Sequence, residues 1–443
     1  MIFKNRIKQC PALFAAIALA GAAAGCSTVP ADSQSADQSG SGGKTEITFL
    51  TYNLSSASQK EAAQELIDKF NAQSSTAHVT GVAVDAGSLM SKVQSDYVAG
   101  QVYDVVQLGL NSVDYYVENY ALSAFEDMAG QEEFDKHMEG FHPNAAALGK
   151  YTDGKTYVLP YTFSTPMLYY NADLFREAGL NPDEPPKTWA EVKEAGLALK
   201  AIGKEGVHIY VGTSDKSDWL TQGMIYSNGG EVLSEDKKTI LFGEPAAVEA
   251  ISIWQDMVKS GAHANYTDAE AQEAFMAGNQ GMMVTTAALE SGLISAAESA
   301  GFELRAAAMP SFGDKPAVPT NSGSGLCIMS KDEEKAKAAW EFIKFVTSPE
   351  GYTIITSKMG YLPLRPAIVD DEAYLKSWAQ EHPFVRTNLE QLDRLHKWQG
   401  FPGLNAGQIS TTLTDAVIAC LFTDADVETT MREAAQKAQD LMP

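Results

Sequence analysis

The residues of this 443-residue chain that could do chemistry are thinly spread. Ser322-Gly323-Ser324-Gly325 is rich in glycine and hydroxyl, but it lacks the lysine and the strand-loop-helix spacing with which a phosphate-cradling loop holds nucleotide. The chain has no Gly-x-Ser-x-Gly elbow, no His-Glu-x-x-His and no paired Cys-x-x-Cys. His137 and His142 do not share a helix face, and His208 and His263 stand alone, so no metal site is expected. The 57 acidic residues offer many acid/base pairs and single out none. These spacings support no enzyme, and no cofactor is expected.

What remains is the chemistry of recognition. A sugar exposes a C–H face that stacks on aromatic rings and hydroxyls that need Asn, Asp, Glu, Ser or Thr partners. Residues of those types recur where strands are expected to end. Tyr52 and Asn53 follow the first strand, Asp85 the second, and Asn111 the apolar run from Tyr103 to Leu108. Ser164 lies in a connecting stretch, Trp219 opens a helix, Thr286 and Glu290 follow a strand from Gly281, and Ser324 and Tyr361 come later. Each type also serves as a cap, a turn or a core residue. If two lobes close on a small polar ligand, the contacts should come from loops at the carboxyl ends of strands.

The elements that must carry these residues alternate as in a layered α/β body. Strands are expected at Ile47–Tyr52, Val79–Val84, Tyr103–Leu108, Val207–Val211, Gly281–Thr286 and Gly325–Met329. Helices are expected from Ser58 to Phe70, Ser88 to Val98, Thr188 to Ala201, Trp219 to about Asn228 and Pro245 to Lys259. Ser58/Glu61, Thr188/Glu191, Thr267/Glu270 and Ser330/Glu333 have capping-box spacing. Between Tyr161 and Trp189 a strand, a short helix capped by Asn171 or Asp173 with a stop at Gly179, and a stiff Pro182, Pro185, Pro186 connector follow one another. Pro166, which cannot donate to a ladder, points to a sheet edge or bulge. There the chain leaves one body and enters another.

That stretch, STPMLYYNADLFREAGLNPDEPPKTW, resembles the corresponding segment of solute-binding proteins of bacterial ABC importers, in the branch that holds glycerol-3-phosphate-binding and sugar-binding members. The resemblance runs through GYLP at Gly360–Pro363 and the closing helices. It implies a two-lobed periplasmic-binding-protein-like α/β fold, each lobe a mixed sheet flanked by helices, that shuts on a ligand by hinge closure. It also implies permease subunits and their ATPase as partners. Ser164, Tyr361 and Trp219 match ligand-site positions of glycerol-phosphate-binding members. Those members carry a phosphate-binding Arg in an Asn-x-x-Gln-Ile-Arg run; here Asn405 opens the run and Ser410 closes it. A phosphate wants a guanidinium fork or a helix N-terminus, so a neutral carbohydrate is favoured over glycerol 3-phosphate or a glycerophosphodiester. A tethered glycan hydrolase is the reading of another class.

Length and composition set the frame. A chain of this size, 45% hydrophobic, exceeds what one core usually organises. Lys4, Arg6 and Lys8, the apolar run Ala12–Ala24 and small residues before Cys26 resemble a lipoprotein signal over 1–25, with Cys26 as the lipidated N-terminus. The stretch 26–43, with STVPADSQSADQSGSGG, reads as a disordered tether. Residues 44–443 are then the folded part, with a first lobe of about 44–165 and 285–330 and a second of about 166–284 and 331–443. It is expected outside the cytoplasm, as a monomer held to the membrane by lipid alone. A formal charge of −24 argues against nucleic acid as a partner. Cys327 and Cys420, both among apolar residues, either pair or remain buried thiols, and the second is expected.

Overall fold

A computed structural model of the chain describes residues 43–213 and 216–443. The leader, Cys26 and nearly all of the tether lie outside them. Four strands precede the first change of sheet: β1 (Thr45–Thr51), β2 (Ala77–Ala83), β3 (Val105–Gly109) and β4 (Leu159–Ser164). β5 (Pro166–Asn171), β6 (Glu205–Ile209), β7 (Gln280–Thr286) and β8 (Leu304–Ala308) follow, and β9 (Ser322–Ile328) returns. One sheet has the order β2-β1-β3-β9-β4 and the other β6-β7-β5-β8. Within the first, β1 runs parallel to β2 and β3, so their carboxyl ends and the loops after them share one rim.

Thr165 alone separates β4 from β5, and it takes the chain from one sheet to the other. Pro166 was expected to mark an edge or bulge. It stands instead as the first residue of β5, which is paired on both sides by β7 and β8; a first position needs no amide donor. Asn171 caps the next helix by accepting from the Asp173 and Leu174 amides, and Gly179 takes φ +74° behind it. The Thr188/Glu191 and Thr267/Glu270 capping boxes form as the spacing predicts. The other two do not: the Lys60–Gln73 helix is capped at Gln59 without a side-chain bond, and Asp332 rather than Ser330 caps Glu333–Val346.

Two cores follow the two sheets. Phe49 and Phe163 of the first pack with Trp340, Phe342, Tyr352 and Leu392; Phe342 meets Phe49 and Phe70 edge to face, with centroids 5.1 and 5.2 Å apart. Leu168 and Val284 of the second pack with Trp189, Trp254, Ile409 and Cys420. The helices Glu333–Val346 and Pro349–Met359 therefore belong with the first sheet, whereas their sequence position suggested the second lobe. β8, expected with the first lobe, pairs with β5. Apolar periodicity marks a helix as buried without saying which sheet it covers. Cys327 and Cys420 are free, buried in different cores, and burial pushes the Cys420 thiol up to about 11.

The chain passes between the sheets three times: at Thr165, between β8 and β9, and between Leu392 and Phe401. These crossings are tied together. The Gln391 amide donates to Pro166 O at 3.0 Å and its oxygen accepts from the Met309 amide at 2.9 Å. His396 N–H donates to Pro319 O at 2.9 Å, and Trp398 N–H donates to Asn321 Oδ1 at 2.8 Å. No helix among the described residues is long and apolar enough to cross a membrane.

Candidate functional site

The loops at the carboxyl ends of β2 and β3 face the second sheet's domain across a cavity of about 430 Å³. Met90, Asn111, Ser112 and Tyr115 line it from the first lobe, and Lys216, Ser410 and Thr411 from the second. Trp398 to Phe401, on the third crossing, form the wall between. A second cavity of about 370 Å³ shares Met90, Asn111, Ser112 and Trp398 with it and adds Tyr52, Tyr116, Ser322 and Tyr361. The two are one cleft, divided by the Trp398 side. Gly400 shows how close the lobes come: a Cβ there would lie 1.8 Å from the Asn111 carbonyl oxygen.

A buried chain of polar groups holds the first-lobe rings in place. Thr51 Oγ1 donates to Gln107 Oε1 at 2.5 Å, and Gln107 Nε2 donates to Ser324 Oγ at 2.7 Å. Ser324 Oγ lies 2.5 Å from Thr162 Oγ1, which lies 3.3 Å from the Tyr52 hydroxyl. On the other branch Asn53 Nδ2 donates to Gln59 Oε1 at 2.6 Å and Gln59 Nε2 donates to the Tyr361 hydroxyl at 3.2 Å. A fully bonded buried network fixes rotamers, because breaking any member strands a polar group away from water. Tyr52 and Tyr361 are thereby presented to the cleft in one orientation.

Behind the opposite wall stands Asp218, 1% exposed and just ahead of the Trp219–Ser227 helix. Its carboxylate accepts the Trp398 indole N–H at 2.8 Å and the Gln222 amide at 3.0 Å, and it is bonded to the Ser410 hydroxyl. Burial raises its pKa and these donors pull it back down. Gln222 also receives the Gln399 amide at 2.9 Å and donates to Gln399 O at 3.0 Å. Asp218 and Gln222 thus set the position of the Trp398-Gln399 wall. Lys216 is the one cation among the described lining residues, and Asp415 Oδ1 sits 2.9 Å from its ammonium.

Of the residues the sequence singled out, Tyr52, Asn111, Tyr361 and Ser410 line the cleft. Asn53 and Ser324 lie beneath it in the network that holds Tyr52 and Tyr361. Asp85 is exposed at the start of a 3₁₀ turn, next to the lining residue Ala86, and Asn405 is exposed at the start of Ala406–Phe422 with its amide on Leu441 O at 3.0 Å. Trp219 is buried in the second core, 5.4 Å from the Tyr210 ring. Ser164 and Thr286 hydrogen-bond each other at 2.6 Å beside the first crossing. Glu290 lies apart, against a cavity of about 10 Å³ with Thr356, Tyr361 and Trp378. Tyr169 donates to it at 3.3 Å, and burial raises its pKa to about 7. Trp398, Ser112 and Tyr115 were missed. The signal for Trp398 was an aromatic followed by Gln399 and Gly400 in the Gly- and Pro-rich run WQGFPG.

Comparison with known proteins agrees with this architecture. Residues 65–382 match the family described as bacterial extracellular solute-binding protein. The sn-glycerol-3-phosphate-binding periplasmic protein UgpB of Yersinia enterocolitica is 34% identical over 246 residues, 53% of this chain and 54% of that protein. UgpB of Escherichia coli is 31% identical over 236 residues, 50% and 52% of the two chains. The matched stretch thus spans about half the length of these curated relatives. UgpB from Mycobacterium tuberculosis, solved in complex with glycerophosphocholine, superposes with a TM-score of 0.76 at 26% identity, covering 90% of this chain and 98% of that one. The cyclic α-maltosyl-1,6-maltose binding protein of Arthrobacter globiformis superposes with a TM-score of 0.75 at 22% identity, covering 90% and 99%. The superposed neighbours share the two-lobed fold, and the chain belongs to the bacterial extracellular solute-binding protein family.

Proposed function

We propose that this protein is the receptor of an ABC importer, that it captures a sugar or short oligosaccharide between its lobes, and that it delivers the ligand to a membrane permease served by an ATPase. The observation that carries this reading is the character of the cleft: Tyr52, Tyr361 and Trp398 offer ring faces, Asn111, Ser112 and Thr411 offer neutral hydrogen-bonding groups, and Lys216 is neutralised by Asp415. Ser410 stands where the resemblance to glycerol-phosphate-binding members implies an Arg, and it offers no guanidinium fork of the kind a phosphate prefers. Ligand touching both lobes favours the closed state by its differential affinity, and the closed shape is what the permease reads. The two lobes are the bodies built on the two sheets. Cys26 is the lipidated anchor, residues up to 43 tether the receptor outside the cytoplasm, and it acts as a monomer without turnover.

A second reading, a glycerophosphodiester or glycerol 3-phosphate receptor, is supported by the glycerophosphocholine complex of the M. tuberculosis relative and by the Ala406–Phe422 helix, whose first residues Ala406 and Gly407 line the cavity. A melting screen of residues 44–443 against mono- and oligosaccharides, glycerol 3-phosphate and glycerophosphocholine separates the two. Ligand at one hundred times its dissociation constant adds roughly 2.7 kcal/mol to the folded state. A shift with saccharide alone supports the first reading; a shift only with the phosphate compounds overturns it in favour of the second. New reducing ends released from an oligosaccharide would overturn both.

A further inference from the structure

We propose that Asp114 is a positioning residue for lobe closure, acting as an electrostatic latch across the mouth of the cleft; the inference rests on the hinge-closing receptor reading above. Asp114 lies in the first turn of the Val113–Tyr120 helix of the first lobe, between the cavity-lining residues Ser112 and Tyr115. Its carboxylate pairs with the Lys237 ammonium, and Lys397 approaches its other oxygen at 3.7 Å. Lys237 belongs to the second lobe, in a turn between the core residues Leu233 and Ile240, and Lys397 directly precedes Trp398 on the third crossing. One carboxylate therefore joins the first lobe to both parts of the opposite wall.

The surroundings suit a contact made on closing. Asp114, Lys237 and Lys397 side chains are 22, 34 and 26% exposed, so the cluster is half desolvated and its attraction exceeds that of a fully solvated pair. Lys237 holds φ +58°, a conformation L residues rarely adopt, and the turn that imposes it is closed by Ser234, whose hydroxyl accepts the Thr239 amide at 2.9 Å and donates to Asp236 at 2.6 Å. Burial beside Lys237 lowers the Lys397 pKa, and Asp114 opposes that shift, so Lys397 depends on the first lobe for its counter-charge. The close approach of Gly400 to the Asn111 carbonyl lies on the same stretch of wall. Opening the lobes would strand two lysines near each other; closing supplies the carboxylate between them.

The test needs no ligand. Spin labels placed at the exposed positions Val98 and Leu404, as V98C and L404C, report the distance between lobes, while Cys327 and Cys420 remain buried. In the unliganded protein at low salt, the expected result is that D114N reduces the short-distance population about fivefold relative to wild type. K237Q, which removes the ammonium facing Asp114, should act in the same direction. At roughly 1 M salt, where screening reaches about 3 Å, wild type should fall to the level of D114N. The charge swap D114K with K237D, made together with K397Q so that the new ammonium meets no second lysine, should restore the short-distance population at low salt. Equal populations in wild type and D114N, an effect that persists in high salt, or a swap that fails to restore would each overturn the latch. A latch that holds while the melting screen finds no saccharide would instead count against the ligand assigned above, so the two failures are distinguishable.

Discussion

The indole N–H of Trp398 donates to Asp218 Oδ1 at 2.8 Å, from a ring that walls the cleft to a carboxylate sealed behind it. Because the same carboxylate also binds Gln222 and Ser410, one buried charge orients the wall contributed by the third crossing. Replacing Asp218 by Ala leaves the indole and an amide without their acceptor and opens a gap. A loss of about 2 kcal/mol of folding stability is expected, with Asp218→Asn retaining part of it, read by denaturant unfolding.

Gly400 separates closure from folding. Any side chain there meets the Asn111 carbonyl, since a Cβ would stand 1.8 Å from its oxygen. Gly400→Ala should leave the melting temperature of the unliganded protein within a degree or two, because the lobes can part to admit the methyl group. Affinity for the ligand found by the melting screen should drop about tenfold or more, measured by calorimetric titration.

Glu290 gives the fold a dependence on pH. Burial raises its pKa to about 7 from an ordinary 4.5, with the Tyr169 hydroxyl opposing the shift and His382 Nδ1 4.0 Å away. Below pH 4.5 the carboxyl is neutral in both folded and unfolded chains, and its contribution to stability is fully present. As pH rises, the unfolded chain ionises first, and the contribution is lost up to about pH 7, by about 3 kcal/mol at most. Glu290→Gln should therefore flatten the stability profile across that window and gain most over wild type at pH 8, as followed by unfolding at a series of pH values.

Thr188 offers a local check. Its hydroxyl accepts from the Glu191 amide at 3.2 Å while the Glu191 carboxylate binds the Thr188 amide at 3.0 Å, closing both halves of the box. Thr188→Ala should cost about 1 kcal/mol without changing ligand affinity.

The legible part of this chain was local. Thr188/Glu191 and Thr267/Glu270 could be read because both partners of a capping box lie within one turn, and most strands could be read because their apolar runs are bounded by turn residues, though β8 was missed and β4 and β5 were read as one. Tyr52 and Asn111 were found because parallel strands deliver their carboxyl ends to a common rim. The illegible part was tertiary. Phe342 packs on Phe49 and Phe70 and Trp340 on Phe125 and Phe134, all far away in sequence, and their helix shows no mark of which sheet it serves. Ser324 and Asn53 have the residue types of ligand contacts, yet they spend their hydrogen bonds on Gln107, Thr162 and Gln59. Trp398 was passed over because it lies in a connecting stretch outside any strand or helix, where periodicity carries no information.

The most direct test is a calorimetric titration of wild type and Trp398→Ala with the saccharide that gives the largest melting shift, with the solution afterwards assayed for new reducing ends. The expected result is binding by wild type, affinity about tenfold weaker in Trp398→Ala, a lowered melting temperature because the buried Asp218 carboxylate loses a donor, and ligand returned intact. Unchanged affinity in Trp398→Ala, or a cleaved saccharide, would contradict the assignment of this cleft as the capture site of a carbohydrate receptor.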